Sequence, residues 1–108
     1  MTDLRHRHCQ PQTGTALERA VAERHLREIP GWALDDGGHS IQRTFAFPDY
    51  YATIAFVNAI AWIANREDHH PDLEVGYNRC TVRFSTHSVG GLSDNDFICA
   101  AQISALFD

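Results

Sequence analysis

Asp68-His69-His70-Pro71-Asp72-Leu73-Glu74-Val75-Gly76-Tyr77-Asn78-Arg79-Cys80-Thr81-Val82-Arg83-Phe84-Ser85-Thr86-His87 is the stretch on which the fold turns. Leu73, Val75 and Tyr77 alternate with Glu74 and Gly76, while Cys80, Val82, Phe84 and Thr86 alternate with Thr81, Arg83 and Ser85. A period of two marks strands with one buried face, and Asn78-Arg79 between them can turn, so the stretch reads as a β-hairpin. Pairing carries the end of the second strand back beside the start of the first. His87 is therefore expected near His69 and His70.

Immediately upstream, Pro71 disfavours the α conformation at His70, so a helix leading into the pair has to end at or before it. Pro48-Asp49 can open that helix, by a fixed φ or a capping carboxylate, and residues 50 to about 67 follow. Ile54, Val57 and Ala61 fall on one face and Phe56, Ile60 and Ile63 on another, with Ala52, Ala55, Ala59 and Ala64 keeping it slim. So wide an apolar girth implies a sheet on one side and a further subunit on the other, with Trp62 read as core or interface. Two adjacent titratable rings held at a helix exit suit acid–base chemistry.

Downstream, Gly90-Gly91 allows a tight bend, and Ser93-x-x-Asp96 has capping-box spacing for a last helix with a stripe of Phe97, Ala101 and Ala105, flanked by Ile98 and Leu106. Toward the start, Thr15-x-x-Glu18 has the same spacing. A helix is expected from Thr15 through Leu17, Val21, Leu26 and Ile29 to a stop at Pro30-Gly31. Residues 32–34 and 41–47 read as strands joined by Asp35-Asp36-Gly37-Gly38, with Ile41, Phe45 and Phe47 on one face and Arg43 interrupting it. Residues 1–14 have little hydrophobic pattern and are expected as a flexible N-terminal arm, leaving 15–108 as a single domain. The resulting order, α-β-β-α-β-β-α, implies an α+β fold: a four-stranded antiparallel sheet with helices packed on one face.

The 108 residues, 44% hydrophobic and 21% charged, are enough for one modest core and not two. A net charge of −5 without clustered Lys and Arg argues against nucleic-acid binding. No apolar run reaches the roughly 18–20 residues of a membrane span, and the start lacks the apolar segment of a signal peptide, so a cytoplasmic location is the default expectation. Cys9, Cys80 and Cys99 are odd in number and far apart, which favours free or buried thiols over a disulfide framework. His6, His8 and Cys9 have no second ligand pair nearby and read as a solvated tail. Three imidazoles could ligate zinc, but adjacent histidines rarely both reach one ion and no Cys or Glu completes the set, so no metal is expected.

The run Asp68-His69-His70-Pro71, then Tyr77-Asn78, then Ser85-Thr86-His87, then Gly91-Leu92-Ser93 with Asp96, resembles the pterin-4a-carbinolamine dehydratases. The resemblance covers roughly residues 17–106. It is greatest to the bacterial members that accompany phenylalanine hydroxylase, in which a Trp-Ile-Ala helix end precedes the pair; Asn95-Asp96-Phe97-Ile98 is a further matching run. The resemblance implies a hydro-lyase that removes water from a 4a-hydroxytetrahydropterin to give the quinonoid dihydropterin, with no metal or organic cofactor. It places proton transfer on His69, His70 and His87, and substrate binding on Asp68, His69, His70, Ser85, Thr86, His87 and Ser88. Asp96 is a candidate supporting carboxylate as well as a helix cap. Many relatives carry an acidic residue four positions before the first histidine, where this chain has Asn65; Glu67, two positions before, is expected to face elsewhere. A homodimer or homotetramer is implied, and a binding role on a transcription factor is the alternative use of the same fold.

Overall fold

The computed structural model describes residues 3–107. Helix α1 (Arg19–Leu26) leads to strands β1 (Ala33–Leu34) and β2 (Ile41–Ala46). Helix α2 (Tyr50–Glu67), strands β3 (Asp72–Val75) and β4 (Arg79–Phe84), and helix α3 (Asp94–Ser104) follow. Every strand pairing is antiparallel, in the order β1-β2-β4-β3. The α+β class and the α-β-β-α-β-β-α order are those read from the sequence.

Alternation fixes the layers. Ile41 and Phe45 of β2 and Cys80, Val82 and Phe84 of β4 are buried, while Gln42, Thr44 and Ala46 point to the open face. That face is polar: Thr44 and Thr81 share a hydroxyl contact at 2.7 Å, and Arg83 donates to Gln42. Against the buried face pack Phe56, Ile60 and Ile63 of α2 with Phe97, Ile98 and Ile103 of α3. Each such side chain contributes about 1.5–3 kcal/mol by leaving water. Arg43 does not break the core: its guanidinium lies 4.4 Å from the Phe45 ring centre and donates to the Pro30 carbonyl and the Ser104 hydroxyl.

Three features depart from expectation. First, α1 starts at Arg19, with Glu18 making no side-chain cap, because the Leu17 N–H is committed to the Leu92 carbonyl at 2.8 Å and the chain there is extended. Gly91 is needed at that crossing: a Cβ on it would sit 2.9 Å from the Ala16 Cβ.

Second, burial of α3 extends well beyond the stripe of Phe97, Ala101 and Ala105 read from the sequence. All nine residues from Asn95 to Ile103 are buried, which makes it the central element.

Third, residues 3–12 do not stand off as a flexible arm. They cross α3, burying Leu4 and pairing Arg7 with Asp94 at 3.0 Å; residues 1–2 lie outside the described part. The anchors are single side chains of distant elements, which periodicity within 1–14 does not register. Asp94 also meets His25 at 3.0 Å; burial works against its charge, but Arg7 and His25 outweigh that and hold its carboxyl below the usual range.

Candidate active site

Helix α2 begins with the Asp49 carboxylate accepting from the Ala52 N–H at 2.8 Å. It ends at Asp68, whose φ of 53° and ψ of 42° are left-handed, and the His69 N–H then donates back to the Ala64 carbonyl. This reversal turns the chain under the helix. In the register of β3 with β4, Asp72 faces Arg83, so residues running back from 72 lie beside those running on from 83. His69 and Thr86 are brought together in this way.

Their link is Asp96, wholly buried at the start of α3. Its Oδ2 accepts from the Ser93 N–H at 2.9 Å, completing the capping box read from Ser93-x-x-Asp96, and from the Thr86 hydroxyl at 2.8 Å. Its Oδ1 lies 2.6 Å from His69 Nε2. A carboxylate only accepts, so the Nε2 proton points at Asp96, and in the neutral ring it is Nδ1 that carries the lone pair. The His69 ring stacks on Phe84 with a 5.7 Å centroid separation, which fixes its plane. The result is an oriented imidazole whose remaining nitrogen can give or take a proton.

A cavity of about 250 Å³ adjoins His69, and Asp68, Thr86 and Ser88 also line it. The other expected residues lie around it unequally. His87 is exposed at the start of the turn His87–Val89, and Ser85 is half-buried. His70 is exposed and lines a separate groove between α2 and β3 with Asn65, Pro71 and Leu73. The structure thus joins His69, Thr86 and Asp96 directly. It does not bring all three histidines into one cavity.

Two groups of lining residues escaped the sequence reading. Glu67 does not face elsewhere: its side chain is 2% exposed and borders the cavity, because the helix face two residues before His69 looks toward α3. Its carboxylate accepts from the Cys9 N–H and lies against His8 Nδ1, both at 2.8 Å, and accepts from the Gln102 amide at 3.2 Å. Burial would raise its pKa, but these partners outweigh it and hold it at about 2. Cys9, Gln10, Pro11 and Gln12 form the other group. No local motif marks them, though the buried Asn95 in the recognised Asn-Asp-Phe-Ile run is their anchor.

Cys9, Cys80 and Cys99 are free thiols; the Cys9 contact to Cys99, 3.6 Å between sulfurs, together with burial, pushes the Cys99 pKa up. Among the described residues no three His, Cys, Asp or Glu side chains converge as metal ligands would.

Residues 15–106 match the family model for pterin 4 alpha carbinolamine dehydratase. A protein of Stenotrophomonas maltophilia named "Putative pterin-4-alpha-carbinolamine dehydratase" is 63% identical over 100 residues, covering 91% of this chain and 86% of its own length. One of the same name from Xanthomonas campestris pv. campestris is 58% identical, with 100% and 96% covered. Among solved structures, a transcriptional coactivator/pterin dehydratase from Brucella melitensis superposes with a TM-score of 0.81 at 33% identity, covering 85% of this chain and 98% of that one. A pterin dehydratase-like RuBisCO assembly factor of the alpha-carboxysome shares the fold at a TM-score of 0.62 and 21% identity, with 73% and 92% covered.

Proposed function

The chain belongs to the pterin 4 alpha carbinolamine dehydratase family, and from that premise we propose that it removes water from a 4a-hydroxytetrahydropterin to give the quinonoid dihydropterin. In this reading it returns the cofactor spent by an aromatic amino acid hydroxylase, phenylalanine hydroxylase being the expected one, in the cytoplasm. The reaction needs an acid for the departing 4a-hydroxyl and a base for the N5 proton, and imidazoles serve both roles near neutral pH. The observation that carries the proposal is the buried Asp96 holding His69 by Nε2 beside a cavity. In this reading His69 Nδ1 faces the substrate and Asp68, Thr86 and Ser88 line its cavity, with Ser85 and His87 contributing from either side of Thr86, while His70 contributes from the separate groove between α2 and β3. No metal or organic cofactor enters this scheme.

The test is to generate the 4a-hydroxypterin with a hydroxylase and follow its decay. Catalytic amounts of the protein are expected to accelerate it well beyond the spontaneous rate; an unchanged rate overturns the proposal.

A second reading keeps the fold for binding. It is favoured by the open face of α2, where Tyr51 is 85% and Trp62 62% exposed. Such a face suits assembly into a homodimer or homotetramer, or a protein partner of the coactivator kind. Light scattering separates these: a dimer or tetramer is expected, and a monomer at high concentration leaves the face to another partner.

A further inference from the structure

The cavity beside His69 has one wall from the catalytic half of the molecule and another from the far end of the chain. Asp68, His69, Thr86 and Ser88 stand on one side, and Cys9, Gln10, Pro11 and Gln12 on the other. The second wall is fixed by polar groups aimed at its backbone. Glu67 takes the Cys9 N–H. The Asn95 amide pairs with both groups of Gln10, accepting from its N–H at 3.1 Å and donating to its carbonyl at 2.7 Å, as a neighbouring strand would. The Ser88 hydroxyl donates to the Gln12 carbonyl at 2.8 Å, tying the segment to the turn that follows Thr86. Glu67 and Asn95 are each 7% exposed. Buried polar side chains spent on one extended segment set its register, so the same residues always meet the cavity.

We propose that residues 9–12 are a strap belonging to the substrate-binding surface, and that Gln12 is a specificity-determining residue that helps hold the pterin against His69. The inference rests on the pterin reading above and extends it to a segment that the sequence motifs do not include. With its N–H groups turned to the protein, the Gln12 amide presents Oε1, an acceptor for the N–H groups of a pterin's amide and amino edge or for its side-chain hydroxyls. Its amide already donates to the Gln10 carbonyl at 3.2 Å and reaches Asn95 Oδ1 at 3.4 Å, which holds it at the cavity without placing it in the proton-transfer path.

The experiment measures binding of 7,8-dihydrobiopterin, a pterin that cannot be dehydrated, by calorimetry, with dehydration kinetics and thermal unfolding on the same samples. Gln12→Ala is expected to raise Kd and KM about fivefold or more, with kcat within twofold and the unfolding temperature unchanged, the split that a purely structural residue would not produce. Pro11→Gly, which loosens the strap without removing a side chain that contacts the core, is expected to raise Kd in the same direction. Unchanged Kd in both variants overturns the strap. Failure of the wild-type protein to bind 7,8-dihydrobiopterin or to accelerate dehydration instead overturns the function on which it rests.

Discussion

Asp96 divides its two oxygens between tasks, one closing the N-terminus of α3 and holding Thr86, the other orienting His69. Replacing it by Asn puts an amide where a carboxylate accepted three hydrogen bonds. Asp96→Asn is expected to cost about 1–3 kcal/mol of stability, read from denaturant midpoints. It should also lower kcat some 10–100-fold by leaving His69 in the wrong tautomer or orientation. Wild-type kcat in a folded Asp96→Asn protein would show that the contact is structural only. At this scale the site was partly legible: the Ser93-x-x-Asp96 spacing predicts a cap and the hairpin predicts a return toward His69, but the residue expected there is His87, whereas Thr86 is the one that meets Asp96 beside His69. Glu67 was not, since the left-handed turn at Asp68 sets where the chain passes relative to the last helical turn, and nothing in residue spacing reports that turn.

The C-terminus of α2 is the element on which the site hangs. Asp68 is exposed in the left-handed region, a conformation in which glycine carries no Cβ penalty. Asp68→Gly is accordingly expected to leave stability unchanged or raised by no more than about 1 kcal/mol, while weakening the pterin affinity proposed for a residue lining the cavity. Thermal unfolding and calorimetry on one sample check both; a clear loss of stability would contradict the capping argument. Helix α2 and the hairpin were legible because their signals are local: Asp49 as a cap, Pro71 as a stop, and strict alternation in β4. The start of α1 was not, because the Leu17 N–H is taken by Leu92, far away in sequence. The all-round burial of α3 has a related reason: small and polar residues such as Ala100 and Gln102 fall outside the stripe of Phe97, Ala101 and Ala105, and part of the helix's cover comes from the N-terminal segment, where Gln102 donates to the Arg7 carbonyl and Cys99 meets Cys9.

The whole molecule is closed by that N-terminal segment, and Glu67 couples its docking to pH. The carboxyl has an ordinary pKa of 4.5 and is held at about 2 in the fold. A depressed carboxyl contributes stability that is fully present above the unfolded value and is lost as pH falls from about 4.5 through about 2, here on the order of 3 kcal/mol. Acid titrations of stability should show this loss in the wild type and a shallower one in Glu67→Gln; identical slopes would contradict it. The element order, the antiparallel sheet and the helices on one face follow from the sequence pattern, whereas the strand order β1-β2-β4-β3 and the position of residues 3–12, held by Glu67, Asn95 and Ser88, do not. The central claim is that His69, held by Asp96, transfers protons in pterin dehydration. The most direct measurement is the rate of 4a-hydroxytetrahydropterin breakdown with wild-type protein and with His69→Ala of matched fold. The expected result is acceleration by the wild type that falls at least about 100-fold in the variant; equal rates for the two proteins would contradict it.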